Sequence, residues 1–189
     1  KLYKNGEPFK MSKRAGEFIL AKDLLHEVTK DQIRFMMLNR SNDVELDFDF
    51  DKVKEKTKDN PVFYVQYAYA RINSIARSLK IKLNNQISIN SKIYQPNEYE
   101  EKILRKIFEW PKIIDSTANK LEPHKITFYL YELSTLFHSY WSKGNEDIKY
   151  RFIQNGKVKK KDSLVFIFLI AIVIKNGMNI LGVSLPEKM

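Results

Sequence analysis

Residues 60–80 read "NPVFYVQYAYARINSIARSLK", and they decide the fold class. Val62, Val65, Tyr69, Ile72, Ala76 and Leu79 return at intervals of three and four, which draws one apolar stripe along a helix. Asn60 is a natural cap for that helix, and Pro61 suits its first turn. Working outward, residues 122–144, "EPHKITFYLYELSTLFHSYWSKG", carry a second long stripe at Ile126, Leu130, Leu133, Phe137 and Tyr140, with Gly144 expected to end it. "AKDLLHEV" (21–28) and "DQIRFMMLN" (31–39) read as short helices, with Asp23 and Asp31 in their first turns. "PNEYEEKILRKIFEW" (96–110) is another helix, which Pro111 should kink or break. Helices joined by short and medium loops, without a sustained strand pattern, predict an all-α helical bundle.

Two stretches depart from this pattern. "DVELDFDFD" (43–51) alternates strictly, as a strand does, with Val44, Leu46, Phe48 and Phe50 on one face and five carboxylates on the other. Those acids lack the small residues and loop glycine of a calcium loop, so a solvated extended connector is expected. It is also the best internal boundary, dividing residues 1–50 from a helical unit at 51–189. "LVFIFLIAIVI" (164–174) is continuously apolar but, at this length, falls short of the roughly 20 residues of a membrane span. It predicts a core helix ended by "KNG", with Gly177 as a left-handed cap.

Composition narrows the function. Lys and Arg outnumber Asp and Glu by 33 to 23, and 13% of the 189 residues are aromatic. Cations neutralise phosphates and rings stack on unpaired bases, so a nucleic acid is a reasonable partner. There is no cysteine, which removes thiol chemistry and fits a reducing compartment. The six glycines have neither dinucleotide nor P-loop spacing, and His26, His124 and His138 have no metal-ligand spacing. His26 reads as a surface residue. No self-contained catalytic site is visible, but "KMSKRAGEF" (10–18) sets lysines around a Met-Ser pair beside a glycine.

"KMSKR" (10–14) resembles the second signature of the class I aminoacyl-tRNA synthetases, a loop that closes over the phosphates of ATP. Its lysines stabilise the charge that grows on pyrophosphate more in the transition state than in the ground state. Four further stretches extend the likeness: "DQIRFMMLNRSNDVELDFDFD", "NPVFYVQYAYAR", "LEPHKITFYLYELSTLFHSYW" and "NGMNILGVSLPEKM". In this order they resemble the C-terminal part of the bacterial-type arginyl-tRNA synthetases, over nearly the whole chain. "LGVSLPEKM" resembles that family's C-terminus, so Met189 is expected to be the true end.

The resemblance implies a piece of an arginine–tRNA ligase. Residues 1–50 would end the class I catalytic domain, and 51–189 would be its α-helical anticodon-binding domain. The His-x-Gly-His signature is absent, so the chain alone is expected to be inactive. The implied catalytic residues are Lys10, Ser12 and Lys13, with Met11 and Arg14 joining them at ATP. Implied tRNA contacts are Gln66, Tyr67, Arg71, Tyr140, Trp141 and Met189, although Tyr140 lies on its helix's stripe and also reads as core. Mg2+ is expected with ATP, with no ligand assignable in this chain. The expected partner is an arginine-accepting tRNA, the expected state a monomer in the cytoplasm, away from membranes. Tyr69 stands where the family often has His, and residues 84–101 receive no function. Two alternatives stay open: a stand-alone RNA-binding helical module, and another class I enzyme such as the cysteine one.

Overall fold

A computed structural model describes residues 1–8, 21–81, 95–154, 157–158 and 161–189. In chain order it begins with β1 (Leu2–Lys4), β2 (Glu7–Pro8), α1 (Ala21–Glu27), α2 (Lys30–Leu38), β3 (Phe48–Asp49) and α3 (Phe50–Lys54). The bundle proper follows as α4 (Pro61–Ser78), α5 (Glu98–Phe108), α6 (Trp110–Lys120) and α7 (His124–Glu146). A 3-10 turn (Ile148–Tyr150), the hairpin of β4 (Ile153–Gln154) and β5 (Lys157–Val158), and α8 (Lys161–Leu181) complete it.

The starts of these helices follow from their caps. Asn60 Oδ1 accepts from the Phe63 N–H at 3.4 Å, while its amide donates to Val53 and Glu55 carbonyls at 2.7 and 2.8 Å. The cap therefore also welds α3 to α4. Asn97 and Glu100 form a reciprocal capping box on α5. Pro111 falls in the first turn of α6, where its missing N–H costs nothing, so the predicted break is a clean division into two helices.

α7 is the axis of the bundle and packs against α4, α5, α6 and α8. The two stripes meet in one core: Val65, Ile72, Leu130, Leu133 and Phe137 are fully buried, together with Ile167, Ile170, Ile174 and Met178 of α8. α8 runs seven residues past the apolar stretch that the sequence singles out. The window Leu164–Leu181 is long and apolar enough to cross a membrane, so the length argument does not exclude a span. Packing places it here instead, because 67% of that window is buried inside the bundle.

Gly177 is not the cap of α8. It sits inside the helix, where a Cβ would lie 2.8 and 2.9 Å from the two Cδ atoms of Leu130, so any larger residue would force that buried side chain to shift. The left-handed turn is Gly182, at φ +66. Likewise Gly144 does not end α7, which continues to Glu146. A side chain there would press on the Tyr150 carbonyl, 3.2 Å from the would-be Cβ, where the chain doubles back.

The alternating stretch at 43–51 yields only the two-residue β3. Val44 is exposed and Leu46 half-buried, and only Phe48 and Phe50 are buried, their rings edge-to-face at 5.3 Å. The acids have local work that stops the strand. Asp49 accepts from the Asp51 and Lys52 N–H groups and so starts α3, and Asp51 accepts from the Asn5 N–H at 2.5 Å. β3 pairs with β1 in parallel, and Phe48, Phe50, Val28 and Val53 form a second, small cluster with Ile33 and Met36 beside it. α2 belongs to both clusters, since its Phe35 is fully buried in the main core.

Candidate nucleic-acid interface

On α4, Tyr64, Tyr67 and Arg71 are spaced by three and four, so they share one helix face. α7 brings His138 and Trp141, three apart, to the same place. The Arg71 guanidinium lies 4.4 Å from the Tyr67 ring centroid and 5.0 Å from that of Trp141, a cation held between two aromatic faces. Its Nη2–H donates to the Tyr67 hydroxyl at 2.7 Å. Phe63 also stacks on Tyr67, at 5.6 Å and 15°. Tyr67, Arg71 and Trp141 are each half-buried, so the group opens to solvent.

Beneath it lies His138, 5% exposed. Burial pulls its pKa down to about 4, against an upward pull from its bond to the Tyr64 carbonyl and with a lesser downward push from the nearby Arg71 charge. The ring is neutral at physiological pH. Tyr64, whose ring is 4.3 Å from the imidazole, has its phenol pushed up by burial.

The segment after α8 is laid along a neighbouring face of α4. Gln66 donates to the Ser184 carbonyl at 3.0 Å, and Arg77, three turns on, donates to the Glu187 carbonyl at 2.8 Å. From α2, Asp31 accepts from the Ser184 N–H and hydroxyl, and the Arg34 Nε–H donates to the Leu181 carbonyl. Met189, two residues beyond Glu187, is exposed.

The residues singled out from sequence thus separate into three groups. Tyr67, Arg71 and Trp141 touch one another. Gln66 and Met189 belong to the docked tail, with the Gln66 amide occupied in holding it. Tyr140 faces away: it is 3% exposed, its hydroxyl donates to Glu100 at 2.8 Å and accepts from Asn97 at 2.8 Å, and Tyr99 and Phe152 cover its ring. In this conformation it offers no face to a base. Lys10, Met11, Ser12, Lys13 and Arg14 lie outside the described residues. Sequence reasoning passed over Tyr64, His138, Arg77 and the α2 pair Asp31 and Arg34. The first two were signalled by helical spacing to Tyr67 and Trp141. The tail clamps are long-range and left no sequence trace.

The chemistry available is that of stacking and cationic donation. A guanidinium has five N–H donors, and Arg71 directs one toward Tyr67 and one toward His138. The remainder suit a phosphate or base acceptor, and the flanking rings suit an unstacked base. No group of three or more His, Cys, Asp or Glu converges among the described residues.

Residues 65–189 match the DALR anticodon binding domain, a span that includes α4 from its second turn, α7 and the tail. The chain belongs to this family. The DALR match contains the interface residues from Gln66 to Met189, whereas Phe63 and Tyr64 lie just before it and Asp31 and Arg34 further upstream. Among curated relatives, the arginine–tRNA ligase of Pelagibacter ubique is 56% identical over all 189 residues, and that of Roseobacter denitrificans is 42% identical over the full chain. The chain spans 33% of the length of each. A crystal structure from Campylobacter jejuni, assigned as an arginyl-tRNA synthetase, superposes on the whole chain with a TM-score of 0.83 at 28% identity, using 39% of its own length. The Thermus thermophilus arginyl-tRNA synthetase shares the fold over 94% of this chain, with a TM-score of 0.65 at 20% identity.

Proposed function

We propose that this chain is the C-terminal third of an arginine–tRNA ligase, and that its helical unit, 51–189, reads the anticodon loop of an arginine-accepting tRNA. The carrying observation is the guanidinium of half-buried Arg71 between the Tyr67 and Trp141 rings, in a chain of the DALR family. An unstacked base would lie against the solvent-facing side of this cluster, with the free guanidinium N–H groups on a phosphate or base edge. Gln66 would act by holding the tail that presents Met189, and Tyr140 by supporting the helix that carries Trp141.

In the full protein the reaction would run in two steps. The arginine carboxylate attacks the α-phosphate of ATP and releases pyrophosphate. A terminal ribose hydroxyl of the tRNA then attacks the arginyl carbonyl and releases AMP. Residues 1–50 would end the catalytic domain. Lys10 and Lys13 would stabilise charge on the leaving pyrophosphate, aided by Ser12, with Met11 and Arg14 beside ATP. Mg2+ would arrive with ATP as part of the substrate, and the reaction would run in the cytoplasm.

The test compares an arginine tRNA transcript with one whose central anticodon cytidine is replaced, across a salt series. Tighter binding of the first by about 1–3 kcal/mol at every salt is expected of base reading. Equal affinities that fade together with salt would reduce the surface to phosphate contacts and overturn the anticodon reading.

A further inference from the structure

The structure assigns His138 as the positioning residue for Arg71: a neutral imidazole, fixed in one tautomer, that sets where the guanidinium points. The inference rests on Arg71 meeting RNA, as proposed above. Its basis is the identity of the two groups that the ring nitrogens face. Nε2 lies 3.2 Å from the Tyr64 carbonyl, which only accepts, so Nε2 carries the proton. Nδ1 lies 3.4 Å from Arg71 Nη1, and a guanidinium only donates, so Nδ1 presents its lone pair. Both neighbours demand the same tautomer.

The ring has no freedom to turn away. It stacks on Tyr67 at 5.4 Å and 23°, tilts against Tyr64 at 4.3 Å, and has Phe137 at 5.6 Å. Arg71 is therefore held at three points: by Nδ1, by the Tyr67 hydroxyl, and by the Trp141 face. A protonated ring would turn a donor and a positive charge toward the guanidinium, and would release it. His138 is only 5% exposed, and its action on binding is assigned to its hold on Arg71.

The test titrates the arginine tRNA transcript against the chain carrying His138→Phe, His138→Asn or Arg71→Ala, and against the Phe and Ala changes combined. Phe keeps the stacking and removes both polar atoms, whereas the Asn side-chain oxygen returns an acceptor near the place of Nδ1. Loss of one such hydrogen bond predicts about threefold to fivefold weaker binding for His138→Phe, recovery to near the unaltered affinity for His138→Asn, and no further loss when His138→Phe joins Arg71→Ala. Normal binding by His138→Phe, an Asn variant no better than Phe, or additive losses would each overturn the assignment. If Arg71→Ala itself binds normally, the RNA reading falls and this inference with it. A measurement on the unaltered chain guards against a variant that fails to fold. The long-range 1H–15N spectrum of His138 is expected to show a protonated Nε2 and a bare Nδ1, with the Nδ1 resonance moving in Arg71→Ala. The opposite tautomer would sink the proposal.

Discussion

Two aromatic clusters lie along α7, similar in residue type and opposite in character, and they meet where Phe152 comes within 6.2 Å of Trp141. On one side, Tyr99, Tyr140, Tyr150 and Phe152 close on themselves. Tyr99 stacks on Tyr140 at 5.5 Å and 9°, the Tyr140 hydroxyl meets Glu100 and Asn97, and the Tyr150 hydroxyl donates to Glu98 at 3.1 Å. On the other side, Tyr67 and Trp141 hold Arg71, and among the described residues no carboxylate is in an ion pair with it. The difference lies in the neighbouring helix. α5 brings two glutamates and a capping asparagine to the first cluster, so the Tyr140 and Tyr150 hydroxyls are satisfied internally. α4 brings a guanidinium to the second, and donors outnumber acceptors. Aromatic content does not make a binding surface; an unmatched polar inventory does.

The largest expected effect breaks the closed cluster. Tyr140→Ala should destabilise the chain by about 3–5 kcal/mol, since it opens a cavity beside Phe152 and removes the Tyr140 hydroxyl from buried Glu100. Trp141→Ala, one residue along and half-buried, should cost about 1–2 kcal/mol of stability while weakening RNA binding. Urea unfolding with equal losses for the two would erase the contrast between the clusters.

The next effect is in pH. His138 has its pKa depressed to about 4 in the folded chain, by burial first and then by Arg71. An unfolded histidine titrates near 6.5, so between these values the unfolded chain binds more protons and stability rises with pH. The contribution is complete above about pH 6.5 and is lost as pH falls toward 4, a change on the order of 3 kcal/mol. Urea titrations at pH 7 and pH 4.5 should show this slope in the unaltered chain and a flatter one in His138→Asn. An unchanged slope would mean that other groups dominate acid stability and that the ring is not held neutral by its surroundings.

Helix positions were legible because the stripes at 62–79 and 126–140 bury as their spacing dictates, and because Asn60 and Pro61 state a helix start outright. Boundaries that depend on distant contacts were not. Gly177 looks like a cap, since nothing local says that Leu130 will lie against it, and Asp49 looks like one tooth of a strand rather than a cap. The interface was partly legible: Tyr67, Arg71 and Trp141 stand out by type and by family likeness. Tyr140 and Trp141 cannot be separated by either argument, because adjacent helix residues differ by 100° in direction and only the packed neighbours decide which side is core. The clamp of Asp31, Arg34, Gln66 and Arg77 on the tail joins residues more than a hundred positions apart, and only the folded chain shows it.

The smallest expected effect is the sharpest probe of the open cluster. Tyr67→Phe removes the hydroxyl that accepts from Arg71 and keeps the ring beneath the guanidinium. One of three restraints on Arg71 is lost, so RNA binding should weaken by about 0.5–1 kcal/mol, near the low end for a single hydrogen bond. No charge is removed, so the dependence of affinity on salt should stay parallel to that of the unaltered chain, whereas Arg71→Ala should make it shallower by about one unit. These two slopes separate a residue that aims a cation from the cation itself. If Tyr67→Phe instead matches the full loss of Arg71→Ala with a parallel salt slope, the hydroxyl meets the base directly. The open cluster would then be a hydrogen-bonding reader in its own right, and Arg71 would be its support.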